Sequence, residues 1–384
     1  MADVVTKTAA DAPVRTRHRL EGIDLARALA MLGMLVEHTL QYPTIQPRSV
    51  LFSVYGRSAP LFVLLAGVGV SLATRERRPF SRAMVAARAP FLLLVGMWLT
   101  VRVSGVILQS FALFFVVGAC TCRLPRRALA WLSGVFLVAG PLVLTYMRQH
   151  DLVRVFGTQT DVGFHAFTQP VRFFDGLVVE YYAAAIWLGF FFLGMWLGRG
   201  DVSSADAGKR LFRLAAPAAV IAFTVGWWGA RTFGPPPQLF DLAPPLPLAW
   251  SQNWTTYGFS DSLGWAVTSA LVALAVTGAC ICLIAAAPRA ARACKPFVAL
   301  GATSLSFYLL HFLYLDTLWR DIEPHLTTIL TYFLASVAFW MVFALAAQAW
   351  LKVFRRGPFE TVLYVGALLL TLPFRRAARQ PADP

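Results

Sequence analysis

The sequence is divided into apolar blocks of about 17 to 25 residues, which are separated by short basic or proline-rich segments. A helix rises about 1.5 Å per residue, so each block matches the hydrocarbon thickness of a bilayer. The blocks lack the period-2 alternation that a membrane barrel requires. The chain is 58% hydrophobic and only 14% charged, which is too little charge for a soluble domain of this length. We therefore predict an all-α, polytopic membrane bundle of ten or eleven transmembrane helices.

The apolar blocks define one membrane domain, at 21–374, between a basic tail at 1–20 and a polar tail at 375–384. The predicted helices cover 23–41, 58–74, 85–101, 104–121, 128–146, 179–198, 213–231, 262–287, 297–316, 327–350 and a shorter segment at 361–374. That last segment could span the membrane, lie along its interface or re-enter. The first block resembles a secretory signal after its basic flank, but it contains several charged residues, so we predict a retained helix.

The net charge of +15 would suggest nucleic-acid binding in a soluble protein. Here the basic residues cluster at the ends of apolar blocks, where they set topology and contact anionic lipid headgroups, so no nucleic-acid partner is expected. One set of alternating segments is strongly basic. The opposite set contains Arg48, Arg57, Arg102, Arg148, Arg154, Arg172, Arg231 and Arg320. The positive-inside rule then predicts a multi-pass plasma-membrane protein with a cytoplasmic amino terminus.

Five Cys residues are present, without a C-x-x-C pair or a Cys/His spacing typical of metal sites. Small apolar packing residues are the simplest interpretation, and no metal is expected.

Two long segments on the outer side could shape a binding site. They are 147–178, with Asp151, Asp161, His165 and Asp175, and 232–259, with Pro235–Pro237, Pro244, Pro245, Trp250, Asn253 and Trp254. Aromatic rings beside amides and carboxylates suit carbohydrates, although Trp is also a common interfacial anchor.

The first helix contains ionisable residues at membrane depth, where charge is costly unless it is paired or hydrated. Asp24 and Arg27 are spaced i, i+3 and can pair, and His38 follows on the same helical stripe about 21 Å further along the axis. Glu37 lies on another face. The stripe is typical of a polar passage through a bundle, but Asp24–Arg27 could also be a packing salt bridge, and His38 a neutral interhelical residue.

A second stripe occurs in the ninth helix, where Ser304, Tyr308 and His311 are spaced i, i+4, i+7. The predicted topology places His38 and His311 at similar depth in the outer half of the bilayer. Two neighbouring histidines could act as acid, base or nucleophile, because either ring nitrogen can carry a proton near neutral pH. We hypothesise that the two rings approach each other.

Arg57 and Ser58 begin the second helix at its outer end. Arg57 could hold an anionic or hydroxyl-rich group, or could extend to phospholipid headgroups. Gly67 and Gly69 in the same helix favour close helix approach.

Four segments resemble a known family. RLEGIDLARALAMLGMLVEH at 19–38 and GRSAPLFVLLAGVGVSLATR at 56–75 are similar to the first two helices of bacterial membrane acyltransferases related to heparan-α-glucosaminide N-acetyltransferase and to YeiB-type and acyltransferase-3-like proteins. ALGATSLSFYLLH at 299–311 and RRGPFE at 355–360 resemble two further motifs of this group. Asp24, Arg27, Arg57, Tyr308 and His311 fall on matching positions, whereas YeiB-type proteins often carry Asn near His38.

The resemblance implies a bundle that takes an acetyl group from cytoplasmic acetyl-CoA and delivers it to a saccharide. We expect His38 and His311 to be catalytic. Substrate-binding residues are expected to be Asp24, Arg27, Arg57, Ser58, Ser304 and Tyr308. The acceptor could be a cell-envelope glycan, a lipid-linked sugar or the sugar of a glycosylated natural product, including an antibiotic. The alternatives are a secondary transporter for a sugar or small anion, and a non-catalytic export partner.

Overall fold

The computed structural model describes residues 20–40, 55–75, 80–103, 105–150, 152, 170–179, 182–233 and 249–377, and every regular element in these ranges is helical. The first eight helices are α1 Glu21–Thr39, α2 Ser58–Thr74, α3 Ser81–Ala86, α4 Ala89–Thr100, α5 Leu108–Thr121, α6 Arg126–Gln149, α7 Pro170–Val179 and α8 Ala184–Gly198. The others are α9 Ala205–Phe233, α10 Leu263–Ala286, α11 Pro288–Ala293, α12 Lys295–Ala302, α13 Ser304–Asp316, α14 Leu318–Ile322, α15 Ile329–Val353 and α16 Pro358–Ala377. Short 3₁₀ turns lie at Trp250–Gln252 and Glu323–His325.

The predicted all-α membrane bundle is confirmed. Within the described ranges, five helical stretches are long and apolar enough to cross a bilayer, and a sixth is added if one bent pair counts as a span. They are Ser81–Thr100, Arg126–Gln149, Ala205–Phe233, Leu263–Ala286 and Ile329–Val353. Four shorter apolar helices of 10–17 residues accompany them. The number of ten or eleven crossings stays a prediction, as do the domain boundaries.

Helix α8 lies at the centre of the bundle and α9 and α15 lie at its edge. Most of α8 is buried, including Trp187, Phe190 and Phe191, which are less than 2% exposed. By contrast, only 17% of the most apolar window of α9, and of α15, is buried inside the protein. Because their exposed residues are still apolar, these two helices present the surface expected to face lipid.

Close backbone contact holds α8 against α2. A side chain at Gly67 would collide with the Phe191 carbonyl, and one at Gly194 would collide with the Leu64 carbonyl. Small residues at a crossing let two helices approach until their backbones touch, which is the main source of packing energy inside a bilayer. The expectation that Gly67 serves close approach is confirmed.

The predicted ninth helix at 297–316 is broken, so the expectation of one continuous helix there was wrong. Helices α12 and α13 meet at an angle of 87°. Thr303 between them has φ −114° and ψ 34°, and its hydroxyl bonds back to the carbonyls of Ala299 and Leu300. Hydroxyl groups that bond to backbone carbonyls compete with the helical ladder. A side chain at Gly301 would collide with the carbonyl of Asp24, so α12 crosses α1 at backbone contact.

The predicted last segment at 361–374 is a longer helix, α16, which begins at Pro358. It packs against α3 and against α13, and its first turn meets the start of α13. Helices α1, α12, α13 and α15 form one connected group, because α1 contacts each of the other three. After the orientation that the sequence predicts, which stays a prediction, we call the end that holds Glu21 and Thr74 the inner end and the end that holds Thr39 and Ser58 the outer end.

Candidate active site

Two histidines from distant parts of the chain meet near the outer end of the bundle. His38, in the last turn of α1, and His311, in the middle of α13, are joined by a 3.2 Å contact between Nδ1 of His38 and Nε2 of His311. The rings are nearly parallel, with their centroids 5.4 Å apart. His311 is 1% exposed and His38 is partly buried. The hypothesis that the rings approach each other is confirmed.

The contact between the rings limits where each proton can lie. Two neutral imidazoles that share one hydrogen bond hold one proton between them, and which ring donates depends on the tautomers. Nδ1 of His311 is buried and makes no well-aligned hydrogen bond among the described residues, and the nearest acceptors are the backbone groups of Phe307 and Tyr308, one helical turn earlier. When neutral His38 carries its proton on Nδ1 and donates to His311, its Nε2 offers a lone pair; when His311 donates from Nε2 instead, neutral His38 carries its proton on Nε2. Nε2 of His38 is the nitrogen through which this pair can act on a third group.

Nε2 of His38 faces a glycine in the segment before α5. A Cβ atom added to Gly105 would lie 2.9 Å from this nitrogen, and Gly105 has φ +82°, a conformation that residues with side chains rarely adopt. Two tyrosines hold the segment in place. The Tyr182 hydroxyl donates to the Gly105 carbonyl at 2.8 Å, and the Ile107 N–H donates to the Tyr308 oxygen at 3.0 Å. The segment thus leaves space in front of His38 that only glycine provides.

Aromatic rings surround the pair. Phe312 lies against both histidines, with centroids 5.0 Å from His38 and 4.2 Å from His311. Phe307 stacks on His311, and Tyr308 contacts it edge-on at 5.3 Å. Rings this closely packed have little freedom to reorient, so the histidine pair is held in one geometry.

A large cavity opens at the inner end and runs toward this pair. Its volume is about 880 Å³, within the range typical of small-molecule sites. Arg27 is central to its wall, and we call it the Arg27 cavity. The other polar or charged side chains in its lining are those of Asp24, Arg75, Arg88, Asp201, Ser203 and Ser304. Apolar residues that include Leu108 and Phe111 complete the wall.

Three aromatic rings lie between the cavity and the histidines. Phe62 and Phe111 line the cavity and contact each other at 5.4 Å. Tyr308 stacks on Phe62 at 6.3 Å, and it also contacts His311. Neither histidine lines the cavity in this conformation. We call Phe62, Phe111 and Tyr308 the aromatic barrier, because a group in the cavity would have to pass these rings to reach His38.

The first helix provides the charged pair in the cavity wall. Nη1 of Arg27 bonds to Oδ1 of Asp24 at 2.8 Å, as the i, i+3 spacing predicts. Asp24 is 5% exposed, while Arg27 keeps 23% of its side chain accessible. A side chain at Gly69 would lie 3.2 Å from the Arg27 guanidinium, so Gly69 makes room for it. The predicted salt bridge is therefore present and lines the cavity, whereas His38, the third residue of the predicted polar stripe, lies outside the cavity lining.

Asp201 lies at the mouth of the cavity, between α8 and α9. Its carboxylate accepts hydrogen bonds from the Ser204 hydroxyl and from the Ser203 N–H, the latter at 2.9 Å. These bonds favour the charged form, so the pKa of Asp201 is held below its ordinary value. The cavity mouth therefore carries a fixed negative charge as well as its arginines.

Arg57 and Ser58 are both buried at the outer end, and the Ser58 N–H contacts Glu37, the residue that precedes His38. The Arg57 guanidinium donates to the Ser269 hydroxyl at 2.6 Å and to the Thr256 carbonyl, and it lies over the Phe223 ring at 5.3 Å. Arg57 is 4% exposed. In this conformation the hydrogen bonds of Arg57 connect the start of α2 to the segment around Thr256 and to α10. Its predicted role in binding the acceptor stays a prediction.

The two outer segments are described only in part. Trp250 and Trp254 are about half exposed, at 49% and 45%, while Asn253 is buried and exchanges hydrogen bonds with Thr145. The half-exposed indole rings of Trp250 and Trp254 fit the interpretation as interfacial anchors. The buried amide of Asn253 connects two parts of the chain through Thr145. Asp151, Asp161, His165, Pro235–Pro237, Pro244, Pro245 and the side chain of Asp175 lie outside the described residues.

Several residues that position the site were not singled out from the sequence. Glu37 accepts hydrogen bonds from the N–H groups of Gly56, at 3.0 Å, and Ser58, so it caps α2 from the end of α1. The sequence places Glu37 on a different face of α1 from the polar stripe, and no partner is predicted for it. Gly105 carries no side chain, and an isolated glycine before a helix gives no functional signal. Arg88 counts only among the basic residues that set topology.

All five cysteines lie in the described ranges and are free. In the part of the chain that the structure describes, no cluster of three or more His, Cys, Asp or Glu side chains could hold a metal ion.

Two family models match the chain in succession. Heparan-alpha-glucosaminide N-acetyltransferase, catalytic, matches residues 19–232, which is more than half of the 384 residues. Protein of unknown function (DUF418) matches residues 239–367. No curated protein matches the chain.

The two matched regions meet in the histidine pair, because His38 lies in the first and His311 in the second. The helical membrane bundle agrees with the first match, which is that of a membrane acetyltransferase. The chain belongs to the heparan-alpha-glucosaminide N-acetyltransferase catalytic family.

Proposed function

We propose that this protein transfers an acetyl or short acyl group from acyl-CoA to a hydroxyl of a saccharide, at the cell membrane. The observation that carries the proposal is the His38–His311 contact, which the aromatic barrier separates from the Arg27 cavity, in a chain of an acetyltransferase family. Imidazole is the side chain best suited to move a proton or an acyl group near neutral pH.

The donor enters the Arg27 cavity from the cytoplasm. Its phosphate groups are held at the inner end by Arg75 and Arg88, and by the accessible part of Arg27, because guanidinium groups bind phosphate oxygens with charge-assisted hydrogen bonds. Asp24 holds the Arg27 guanidinium toward the cavity, and Ser304 offers a hydroxyl in the same wall. The pantetheine arm extends toward Phe62, and the thioester reaches His38 when the aromatic barrier opens.

His38 then acts through Nε2. As a general base, it takes the proton of the acceptor hydroxyl while the oxygen attacks the thioester carbonyl. The C–S bond breaks, and the proton passes from His38 to the departing thiolate. His311 accepts a hydrogen bond from Nδ1–H of His38 and stabilises the imidazolium. In the covalent route, Nε2 attacks the thioester carbonyl, the C–S bond breaks and CoA leaves as the thiolate. The acceptor oxygen then attacks the acyl carbon, the C–N bond breaks and restores His38, and the hydroxyl proton ends on the CoA thiol.

The decisive experiment incubates the purified protein with radiolabelled acetyl-CoA and a panel of glycans, lipid-linked sugars and glycosylated natural products. Release of CoA together with a labelled glycan is the expected result. Acid quenching before acceptor addition, followed by mass analysis of the peptide that contains His38, separates the two routes, because only the covalent route leaves an acetylated histidine. No CoA release with any acceptor would contradict the proposal.

A secondary transporter is the competing function, and one observation favours it. Helices α12 and α13 form a broken span, a feature of many transporters, whose ion and substrate sites lie at such breaks. The break here begins at Ser304, which lines the Arg27 cavity. Uptake of a labelled sugar into proteoliposomes in the absence of acyl-CoA would support this alternative against the enzyme.

A further inference from the structure

The start of α13 lacks the capping that its own sequence would normally supply. Thr303, which precedes the helix, makes no side-chain cap hydrogen bond to the described backbone. The first N–H groups of any helix have no partner within the helix, and leaving them unpaired in a buried position is costly. Phe307 N–H is satisfied by the Thr303 carbonyl at 3.0 Å. The N–H groups of Leu305 and Ser306 need an acceptor from elsewhere.

Glu360, in the first turn of α16, is that acceptor. Oε1 of Glu360 accepts from the N–H groups of Leu305 at 2.7 Å and Ser306 at 3.1 Å. Oε2 of Glu360 accepts from the Ser306 hydroxyl. The Ser306 oxygen in turn accepts from the Phe359 N–H at 3.1 Å. Two helix starts therefore share one carboxylate and one hydroxyl.

The charge of Glu360 has a specific consequence at this junction. Each helix start carries a partial positive charge, so two starts placed together repel each other unless an anion lies between them. The segment RRGPFE provides the necessary geometry, because a side chain at Gly357 would collide with the Glu360 carboxylate and Pro358 begins α16 without an N–H. A carboxylate is thus built into the break between α12 and α13.

The break also determines where the histidine pair lies. Helix α13 carries Tyr308, part of the aromatic barrier, and His311, which holds His38. The first residue of α13 lies about 10 Å from His311 along the helix axis. A tilt of α13 at that residue therefore displaces the His311 ring and changes its 3.2 Å contact with His38. Because α12 is at right angles to it, α13 receives no support from a continuous preceding helix.

We infer that Glu360 is a positioning residue that acts through α13 to set the alignment of His311 with His38. The inference rests on the proposed function for its kinetic consequences, but its structural consequence can be measured without activity. It also assigns a purpose to the RRGPFE segment, which is more than 40 residues away from His311 in the sequence.

The test compares Glu360→Ala, Glu360→Gln and Ser306→Ala with the wild type in detergent. The control is Glu21→Gln, which removes an exposed carboxylate from the start of α1. We expect kcat to fall by about tenfold or more in Glu360→Ala, and less in Glu360→Gln, whose amide oxygen can still accept one hydrogen bond. KM for the acyl donor should change by less than about twofold, because the arginines of the cavity are untouched.

A second measurement reports the position of the rings directly. In protein labelled with ¹⁵N-histidine, the imidazole signals of His38 and His311 are assigned from His38→Ala and His311→Ala samples. Loss of the cap should shift both sets of signals in Glu360→Ala and in Ser306→Ala, and the control should leave them unchanged. A merely stabilising carboxylate would lower the unfolding temperature without moving these signals.

The outcomes separate the two proposals. Unchanged imidazole signals in all three folded variants overturn the positioning role, whatever happens to kcat. If Glu360→Ala does not fold, the imidazole signals of Glu360→Gln and Ser306→Ala test the positioning role, because each of these variants keeps part of the cap. A wild-type protein that transfers no acyl group to any acceptor refutes the proposed function, while shifted imidazole signals would still support the role of Glu360 in α13.

Discussion

At the scale of single residues, side chains from one helix complete the end of another. Glu37 caps the start of α2, and Glu360 caps the start of α13, so two carboxylates that look like isolated charges in apolar sequence satisfy backbone N–H groups. His311 contacts one ring nitrogen of His38, and the proposed chemistry uses the other nitrogen. Charge and hydrogen-bonding capacity at membrane depth are costly unless partnered, and each of these groups has its partner across a helix interface.

The two histidines are expected to have unequal roles. His38→Ala should lower the rate of acyl transfer by about 10²- to 10⁴-fold, because the reacting nitrogen is lost. His311→Ala should also lower it strongly, whereas His311→Gln should retain more activity, because an amide oxygen can accept from Nδ1–H of His38. The measurement is kcat with radiolabelled acetyl-CoA, and His325→Ala, in the 3₁₀ turn after α14, is the control. Wild-type rates in both alanine variants would remove the catalytic assignment.

Gly105 is expected to tolerate no side chain. Gly105→Ala places a methyl group about 2.9 Å from Nε2 of His38 and forces alanine into φ +82°, a strain of about 1–2 kcal/mol. We expect a lower unfolding temperature and a transfer rate reduced by about tenfold or more. Gly134→Ala is the matched control: a side chain there meets no described atom within 4 Å and lies in helix α6, so stability should stay equal or rise. Equal activity of the two variants would show that Nε2 does not need this space.

At the scale of helices, the break between α12 and α13 is the main departure from a simple bundle. It lets α12 cross α1 at backbone contact, through Gly301, while α13 turns to bring His311 beside His38. A straight helix over the same residues could not do both, because its two halves would lie along one line. The aromatic barrier belongs to the same scale, since Phe62 comes from α2, Phe111 from α5 and Tyr308 from α13.

The barrier is expected to keep water from the thioester. Phe62→Leu retains an apolar side chain but removes the ring that stacks on Tyr308 and contacts Phe111. We expect hydrolysis of acetyl-CoA in the absence of acceptor to rise several-fold, because water excluded by the rings can enter. Phe297→Leu is the control: it removes a ring that stacks on Trp340 and that does not line the cavity. The idea of a barrier fails if hydrolysis is the same in both variants.

At the scale of the whole molecule, the bundle holds an electropositive cavity at its inner end and a histidine pair nearer its outer end. The Arg27 cavity contains three arginines in its lining and two carboxylates, of which Asp24 is already paired with Arg27. The proposed donor is anionic at one end and reactive at the other, so this separation of charge and chemistry matches the order of its parts. The histidine pair joins the two family-matched regions, so neither region contains the complete site.

The cavity arginines are expected to recognise the phosphates of the donor. The double variant Arg75→Gln, Arg88→Gln should raise KM for acetyl-CoA by about tenfold or more, with little change in kcat, since each lost charge-assisted hydrogen bond weakens ground-state binding. KM for acetyl-pantetheine, which lacks phosphate groups, should not change. Arg320→Gln, which removes an exposed partner of Asp316, is the control. Equal losses for both donors would contradict phosphate recognition.

The sequence alone determined the all-α membrane class, the positions of most helices, the Asp24–Arg27 pair and the family, because hydrophobic block length, i, i+3 spacing and short motifs are local properties of a chain. The geometry of the candidate site could not be predicted from such local properties. Stripes on two helices identified His38 and His311, but only the packing of α13 against α1 placed their nitrogens 3.2 Å apart. The break at Thr303, the Glu360 cap and the space left by Gly105 involve contacts between residues far apart in sequence. Such contacts depend on how helices cross, and a sequence pattern with a period of one helical turn carries no information about that.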